Sequence, residues 1–182
     1  MNYHYDIFQC ALGKFFILDS QKGLHFFLQN SDHRVQKLKN KFLPQKGLYN
    51  KLIIKEVDSY LKKKSDLKKI KISILEGTDL QKEVWKQLTK IIYGKTISYS
   101  DLASKTSNPT AVRAIASAVG KNPIGIVVPC HRVISKDGSL GGYAWGLNMK
   151  AKLLDIEVGG MADSTYRGGK VRYRISPRMN AN

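Results

Sequence analysis

The residues best suited to covalent chemistry form one short run, Pro-Cys-His-Arg-Val at Pro129–Val133, directly after the apolar segment Ile124–Val128. A proline before the cysteine fixes the backbone there and removes one N–H donor. A thiol at the end of an apolar run is held rigidly and kept dry, which makes Cys130 a candidate nucleophile. The alternative is an inert buried cysteine, a common fate of this residue type.

His131 is the candidate base for that thiol. Neighbours in sequence rarely point the same way, so a bridging water is the expected route for the proton between His131 and Cys130. A catalytic imidazole usually needs a third group that orients it. The segment Leu147–Glu157 is predicted to be the last helix, and the acids near its end are Asp155 and Glu157.

The chain is strongly basic. Its 182 residues include 31 Lys and Arg against 14 Asp and Glu, a formal net charge of +17. Such an excess favours polyanionic partners, because neutralised phosphates release counterions. Basic residues concentrate in Lys55–Lys71 and again after Gly159, although Lys62–Lys64 can equally be an ordinary solvated helix face. Nucleic acid is therefore the expected partner, ahead of an anionic membrane surface.

The composition excludes several classes of protein. Hydrophobic residues make up 42%, which is enough for a core and argues against a disordered or collagen-like chain. No run of about 18 apolar residues occurs, so no membrane span is expected, and Met1–Cys10 lacks the pattern of a signal peptide. The two cysteines, Cys10 and Cys130, cannot build a disulfide scaffold, so a reducing compartment is expected.

The N-terminal half predicts a small antiparallel sheet followed by a helix. Short apolar runs indicate strands at Tyr3–Phe8, Lys14–Leu18 and Gly23–Leu28. Apolar residues at helical spacing predict a helix over Asn50–Leu61. Two further apolar runs, Lys69–Leu75 and Ile124–Val128, are candidate strands.

The C-terminal half predicts mostly helices. Thr78 is the expected N-cap of a helix that ends at Gly94. Ser98 is expected to cap a short helix at Tyr99–Lys105, and a second helix is predicted over Thr110–Val119. Two short helices joined by a tight turn in a basic chain match a helix-turn-helix.

The Pro129–Val133 run resembles the active-site signature of the O6-alkylguanine-DNA alkyltransferases. Further motifs follow in the order and spacing of that family, between about Thr78 and Val158. Thr96–Ala103 and Asn108–Ile115 resemble the two helices of its helix-turn-helix, and Lys121–Pro123 resembles its turn into the active site. Gly138–Leu147 resembles its lesion-pocket loop, and Lys150–Glu157 resembles its closing helix. The chain is therefore identified as a member of this family.

The resemblance implies a reaction and a set of catalytic residues. Cys130 would take the alkyl group from O6-alkylguanine in DNA, and from O4-alkylthymine, in one irreversible and stoichiometric displacement. A low pKa of the thiol would favour this nucleophile. His131 and Glu157 would remove and direct the proton, and Tyr99 would donate to the departing guanine.

The resemblance also implies how DNA is held. A reactive carbon inside a stacked duplex is inaccessible, so the nucleotide must be flipped out, and Arg113 would fill the gap. The other DNA-binding residues would be Tyr99, Thr110 and Ala111. The substrate pocket would involve Val133, Tyr143, Ala144 through its backbone N–H, Trp145, and Asn122 as the brace between recognition helix and active site.

Simpler roles remain open for several of these residues. Tyr99 can merely pack the helix pair, Arg113 can be an ordinary phosphate contact, and Asn122 can be only a turn residue. Trp85 and Trp145 are more often core residues than lesion contacts.

The expected fold class is α+β. A small ribonuclease H-like domain of sheet and helices is expected at 1–75, a mostly helical helix-turn-helix domain at 76–159, and a flexible basic tail at 160–182. The expected partner is double-stranded DNA containing O6-alkylguanine, and the protein is expected to be a monomer with no cofactor, metal or membrane partner. The expected location is the cytoplasm, or the nucleus if the source is eukaryotic.

Three rival classes are less consistent with these motifs. A non-catalytic alkylated-DNA-binding protein of the same fold would replace the acceptor cysteine, which is present here as Cys130. A helix-turn-helix regulator would not need the Pro-Cys-His-Arg run. A cysteine hydrolase would need an oxyanion hole and would leave the basic half without a role. The sequence therefore predicts direct-reversal DNA repair.

Overall fold

The computed structural model describes residues 1–158, 163–167 and 170–174, and the chain divides into two compact units. The first unit contains Met1–Glu76 and Pro123–Val127, and the second contains Gly77–Asn122 and the chain from Val128 onward. The predicted domains 1–75 and 76–159 are continuous in sequence, whereas the structure assigns 123–127 to the first unit. The architecture is mixed α+β, as predicted.

The first unit is built on a sheet in the order β3-β2-β1-β4. Its elements are, in chain order, β1 (His4–Cys10), β2 (Gly13–Ser20), β3 (Gly23–Gln29), α1 (Arg34–Phe42), β4 (Gln45–Lys46) and α2 (Leu52–Leu61). The first three strands run antiparallel, and β4 is parallel to β1. The three predicted N-terminal strands and the helix predicted over Asn50–Leu61 are confirmed.

The helix α1 is not predicted by the sequence, because its apolar residues are few and the side chain of its N-cap residue, His33, makes no capping hydrogen bond. Its stability comes instead from tertiary packing. Val35 and Leu38 lie on its buried face. They pack in one cluster with residues of β2 and β3, namely Phe16, Leu18, Phe26 and Leu28.

The outer edge of β3 shows why two predicted strands are wrong. Lys69–Leu75 and Ile124–Val128 each make a single parallel bridge to β3, from Ile72 to Leu24 and from Ile124 to Phe27. Ile124–Val128 leaves the edge directly after its bridge, because residues 125–127 form a turn in which Ile126 has a φ of +66°. The two bridges cover this edge in place of a continuous strand.

The second unit is mostly helical. Its elements are, in chain order, α3 (Asp79–Leu88), β5 (Ile97–Ser98), α4 (Tyr99–Ala103), α5 (Val112–Gly120), a 3₁₀ turn (Cys130–Arg132), β6 (Val133–Ile134), α6 (Leu147–Val158), β7 (Asp163–Arg167) and β8 (Lys170–Arg174). The predicted N-caps Thr78 and Ser98 are confirmed, since each hydroxyl accepts a hydrogen bond from a backbone N–H of the first turn. Within the described part of the chain, no helix is both long and apolar enough to cross a membrane.

Two parallel strands of this unit are too short to leave a sequence signal. Ile97 pairs with Val133, and Ser98 pairs with Ile134. This pairing places the 3₁₀ turn that carries Cys130 next to the start of α4, which begins with Tyr99.

The predicted flexible tail falls partly on residues outside the described ranges. Within it, β7 and β8 pair in an antiparallel arrangement, with Asp163 opposite Arg174 and Arg167 opposite Lys170. The segment thus contains regular structure that the sequence does not predict. The expectation for 159–162, 168–169 and 175–182 lies outside the described residues.

Candidate active site

Cys130 is placed by a tight turn at Pro129. The backbone N–H of Cys130 donates to the carbonyl of Val128 at 2.8 Å, and Pro129 has φ −81° and ψ 62°. These angles and this bond define an inverse γ-turn, for which the fixed φ of proline is suited. The cysteine therefore begins the 3₁₀ turn in a fixed direction, as the sequence predicts.

The thiol of Cys130 is nearly withdrawn from water, with 7% of the residue exposed. The side-chain amide of Asn122 donates to Sγ at 3.1 Å and to the carbonyl of Val128 at 2.7 Å. One buried amide thus holds both the sulfur and the backbone that precedes it. Asn122 is therefore more than a turn residue.

The pKa of the Cys130 thiol is raised, not lowered. Burial is the main cause, because it penalises the thiolate. Hydrogen bonds from Asn122 and Tyr143 and the charge of Lys150 act in the opposite direction but do not outweigh it. The resting protein therefore lacks the low thiol pKa that would favour the nucleophile, and the thiol must lose its proton during the reaction.

His131 follows the thiol and is fully buried. Its Nε2 lies 2.8 Å from Oε1 of Glu157. Burial lowers the pKa of His131, although the hydrogen bond and charge of Glu157 oppose this, so the ring is neutral near pH 7. Since an ionised carboxylate only accepts hydrogen bonds, Nε2 carries the ring proton. The lone pair therefore lies on Nδ1, which becomes the basic nitrogen.

Glu157 is the most strongly held group of the site. Its carboxylate accepts two bonds of 2.9 Å from the guanidinium of Arg132 and one of 3.1 Å from the backbone N–H of Gly94, besides the bond to His131. Burial alone would raise the pKa of Glu157, but the bonds from His131 and Arg132 prevail and lower it to about 2. The carboxylate is therefore ionised at every physiological pH.

Arg132 is a positioning residue that the sequence does not single out. Besides its two bonds to Glu157, it donates from Nη1 to the carbonyl of Ile91 at 2.6 Å and lies over the ring of Tyr93. The only sequence signal is its place in the Pro-Cys-His-Arg run. An arginine there would ordinarily be assigned to DNA, whereas this side chain is buried against the site's own carboxylate.

Lys150 is a second buried cation that the sequence does not single out. It is fully buried in α6, and its ammonium donates to the carbonyls of Val133, Leu140 and Gly142. Burial lowers the pKa of Lys150 to about 8, while the nearby Cys130 raises it. The lysine thus ties β6 to the loop ahead of α6 and places a positive charge near the thiol.

A pocket of about 420 Å³ opens onto Cys130, here called the thiol pocket. Its lining includes Tyr99, Gly141, Gly142, Tyr143 and Ala144. The Tyr99 hydroxyl donates to the carbonyl of Gly142 at 3.3 Å. A Cβ on Gly141 would come within 3.0 Å of the Tyr99 ring, and its φ of +65° also favours glycine. The loop can therefore approach the tyrosine closely.

The structure brings only some of the predicted pocket residues to this opening. Tyr143 and Ala144 line it, whereas Val133 is fully buried in β6. Trp145 stacks edge-on against Tyr143 with 5.8 Å between ring centroids. Trp85 is buried and donates from Nε1 to the carbonyl of Ala118 at 2.8 Å, so it links α3 to α5 as a core residue.

The predicted DNA-binding residues gather at the start of α5. Thr110 lies in the preceding turn and is exposed, Ala111 is the N-cap, and Arg113 is exposed in the first helical turn. Among the residues that the structure describes, no group of three His, Cys, Asp or Glu side chains is placed to hold a metal ion.

Comparison with known proteins assigns the family. Residues 79–159 match the family model described as the DNA-binding domain of 6-O-methylguanine DNA methyltransferase. A methylated-DNA–protein-cysteine methyltransferase from Methanosarcina barkeri is 37% identical over 159 residues, which cover 85% of this chain and 96% of that one. An inducible relative of the same name from Bacillus subtilis is 56% identical over 81 residues, covering 44% of this chain and 45% of its own.

Solved structures agree with this assignment. The O6-methylguanine methyltransferase of Mycobacterium tuberculosis superposes with a TM-score of 0.75 at 30% identity, covering 86% of this chain and 93% of its own. The same organism's protein in complex with DNA gives a TM-score of 0.75 at 30% identity, covering 85% and 92%. This chain therefore belongs to the methylated-DNA–protein-cysteine methyltransferase family of DNA-repair enzymes, as the sequence predicts.

The depressed pKa of Glu157 predicts a specific loss of stability in acid. A group whose pKa is lower in the folded state stabilises the fold above its unfolded pKa, and this stability is lost as the pH falls through the folded pKa. For a shift from 4.5 to about 2, the contribution is about 3 kcal/mol, at ~1.4 kcal/mol per unit. Urea unfolding should therefore show that the free energy of unfolding falls between pH 5 and pH 2 in both proteins, and that it falls by about 3 kcal/mol less in Glu157→Gln than in the native chain.

The matched control is Glu76→Gln, which removes an exposed carboxylate of the first unit. Its unfolding free energy should follow the native curve closely. Parallel pH curves for Glu157→Gln and the native chain would contradict the assigned pKa.

Proposed function

We propose that this protein repairs O6-alkylguanine in DNA by transferring the alkyl group to Cys130, once per molecule. The S–C bond forms as the bond between that carbon and guanine O6 breaks. The thiol proton passes to His131, and the departing guanine takes up a proton from the side of Tyr99. The observation that carries this proposal is a buried thiol that opens into the thiol pocket beside the His131–Glu157 pair.

Proton removal is the step that the raised thiol pKa makes necessary. Nδ1 of His131 is the basic nitrogen, and we propose a water between it and Sγ, because consecutive side chains diverge. Lys150 and Asn122 then stabilise the thiolate through charge and a hydrogen bond. Burial and the nearby Cys130 raise the pKa of Tyr99, so its hydroxyl stays protonated and can donate to the guanine.

DNA is proposed to reach this pocket by nucleotide flipping. Helices α4 and α5 would act as a helix-turn-helix, with Thr110 and Ala111 against the DNA backbone and Arg113 in the gap left by the flipped base. Support comes from the exposed position of Arg113 at the start of α5 and from the DNA complex of the mycobacterial relative. The Ala144 backbone N–H would donate to O6, with Tyr143 as a pocket wall.

We also propose that the first domain is ribonuclease H-like. The antiparallel meander with a fourth, parallel strand supports a ribonuclease H-like first domain.

O4-alkylthymine is a second proposed substrate, and the protein is proposed to act as a monomer. The alternative, a non-catalytic binder of alkylated DNA, is disfavoured by the reactive residue type at position 130.

The proposed acceptor is tested by mass spectrometry after mixing the protein with duplex DNA that contains O6-methylguanine. One added methyl group should map to Cys130 and saturate at one per molecule. Cys10→Ser, which removes the other cysteine, should react normally, and Cys130→Ser should stay unmodified. A methyl group on Cys10, or continued turnover beyond one equivalent, would refute the mechanism.

A variant of Arg113, the proposed gap-filling residue, distinguishes extrusion of the nucleotide from the alkyl transfer itself. Arg113→Ala should slow the reaction with methylated duplex by at least tenfold, because only the duplex requires extrusion. The reaction with free O6-benzylguanine base should stay within about twofold of native. The control is Lys121→Ala, an exposed cation just after α5. Equal losses on both substrates would assign Arg113 to the fold or the pocket.

A further inference from the structure

A second concave surface of the helical unit has no role in the proposed reaction. This surface, here called the lysine groove, has a volume of about 820 Å³ and is bordered by Lys90, Lys95, Lys105 and Lys136. Its size lies within the roughly 300–1,000 Å³ that is usual for ligand clefts. Ser135 lines both the groove and the thiol pocket, so the two cavities adjoin.

Three of these lysines carry charge that the described residues do not neutralise. Lys90, Lys105 and Lys136 are exposed, and no described carboxylate pairs with them. One carboxylate, that of Asp101, lines the groove and accepts a hydrogen bond of 2.6 Å from Ser98, so the four lysines outnumber the acid. The groove is therefore a concentration of positive charge suited to an anion with several separated charges.

Some lysines of the first unit are paired with carboxylates. Lys41 pairs with Glu76, Lys62 with Asp58 and Lys68 with Asp66. Such pairs compensate the lysine charge locally. Other exposed lysines of that unit, such as Lys51, Lys55 and Lys64, have no such pair with a described carboxylate, so the distinguishing feature of the groove is that its lysines gather around one concave surface.

The floor of the groove is apolar. Ile91, Ile97 and Ile134 line it, and Ile92 lies at its margin with 65% of its surface exposed. A small compact anion would use the lysines but leave this floor unused. A sugar–phosphate chain fits both features, because it presents apolar faces of deoxyribose between regularly spaced phosphates.

We propose that the lysine groove binds the sugar–phosphate backbone of the DNA strand that flanks the flipped nucleotide. This inference rests on the proposed function, since it requires a nucleotide seated beside Cys130. Ser98 lines the groove and the next residue, Tyr99, lines the thiol pocket. A strand whose base enters the pocket therefore continues into the adjoining groove, where Lys90, Lys105 and Lys136 each neutralise a phosphate.

The test is the salt dependence of DNA binding by the full chain with Lys90→Gln, Lys105→Gln and Lys136→Gln combined. Each phosphate contact contributes about 0.9 to the slope of log affinity against log salt on duplex DNA. Binding is measured with a duplex that contains one O6-methylguanine, and Cys130→Ser is present in every protein so that binding stays reversible. The slope should become shallower by roughly two to three units.

The matched control removes the same charge from exposed lysines of the first unit, with Lys51→Gln, Lys55→Gln and Lys64→Gln. Its slope should change by less than one unit. Equal changes of the salt slope in the two triple variants would overturn the proposed binding at the lysine groove, because the slope would then report only the total charge of the protein.

A parallel assay keeps the two proposals distinguishable. With Cys130 restored, the groove variant should react with free O6-benzylguanine at the native rate. Loss of that reaction would overturn the proposal by assigning the lysines to the structure of the pocket. If the native chain reacts with neither free base nor methylated duplex, it is the proposed function that fails.

Discussion

The buried carboxylate of Glu157 is the contact on which the active site depends. It accepts hydrogen bonds from His131, Arg132 and the backbone of Gly94, and thereby joins the end of α6 to the 3₁₀ turn that carries Cys130. A buried charge is costly unless it is paired and fully hydrogen-bonded. This requirement fixes the positions of all three donors, and with them the orientation of the imidazole beside the thiol.

The same arrangement explains how a thiol with a raised pKa can serve as a nucleophile. Burial keeps Cys130 protonated in the resting protein, while Asn122 and Lys150 are already in place to stabilise the thiolate once the proton has passed to His131. His131 is held neutral with its proton on Nε2, so its other nitrogen is ready to accept a proton. In the proposed mechanism, protonation state and geometry are therefore set by one network before the substrate arrives.

The sequence predicts the parts of this site that have local signals. Pro129 before Cys130 and the caps Thr78 and Ser98 can be found from residue type and spacing, which also narrow the acid at the end of the last helix to Asp155 or Glu157. The thiol pKa was beyond such reasoning, because its direction depends on how deeply the fold buries the sulfur. Lys150 and Arg132 are likewise of residue types that are usually exposed. Only the three-dimensional structure shows Lys150 buried against backbone carbonyls and Arg132 buried against Glu157. The wrong strands, such as Ile124–Val128, are apolar enough to be buried but find only one bridging position on β3.

The central claim, that burial keeps His131 neutral while ionised Glu157 holds its proton on Nε2, is tested most directly by ¹⁵N NMR of the histidine ring. In the native chain, the His131 signals at pH 7 and above should be those of a neutral ring, with a protonated Nε2 and an unprotonated Nδ1. An imidazolium at pH 7, or a neutral ring with its proton on Nδ1, would contradict the account.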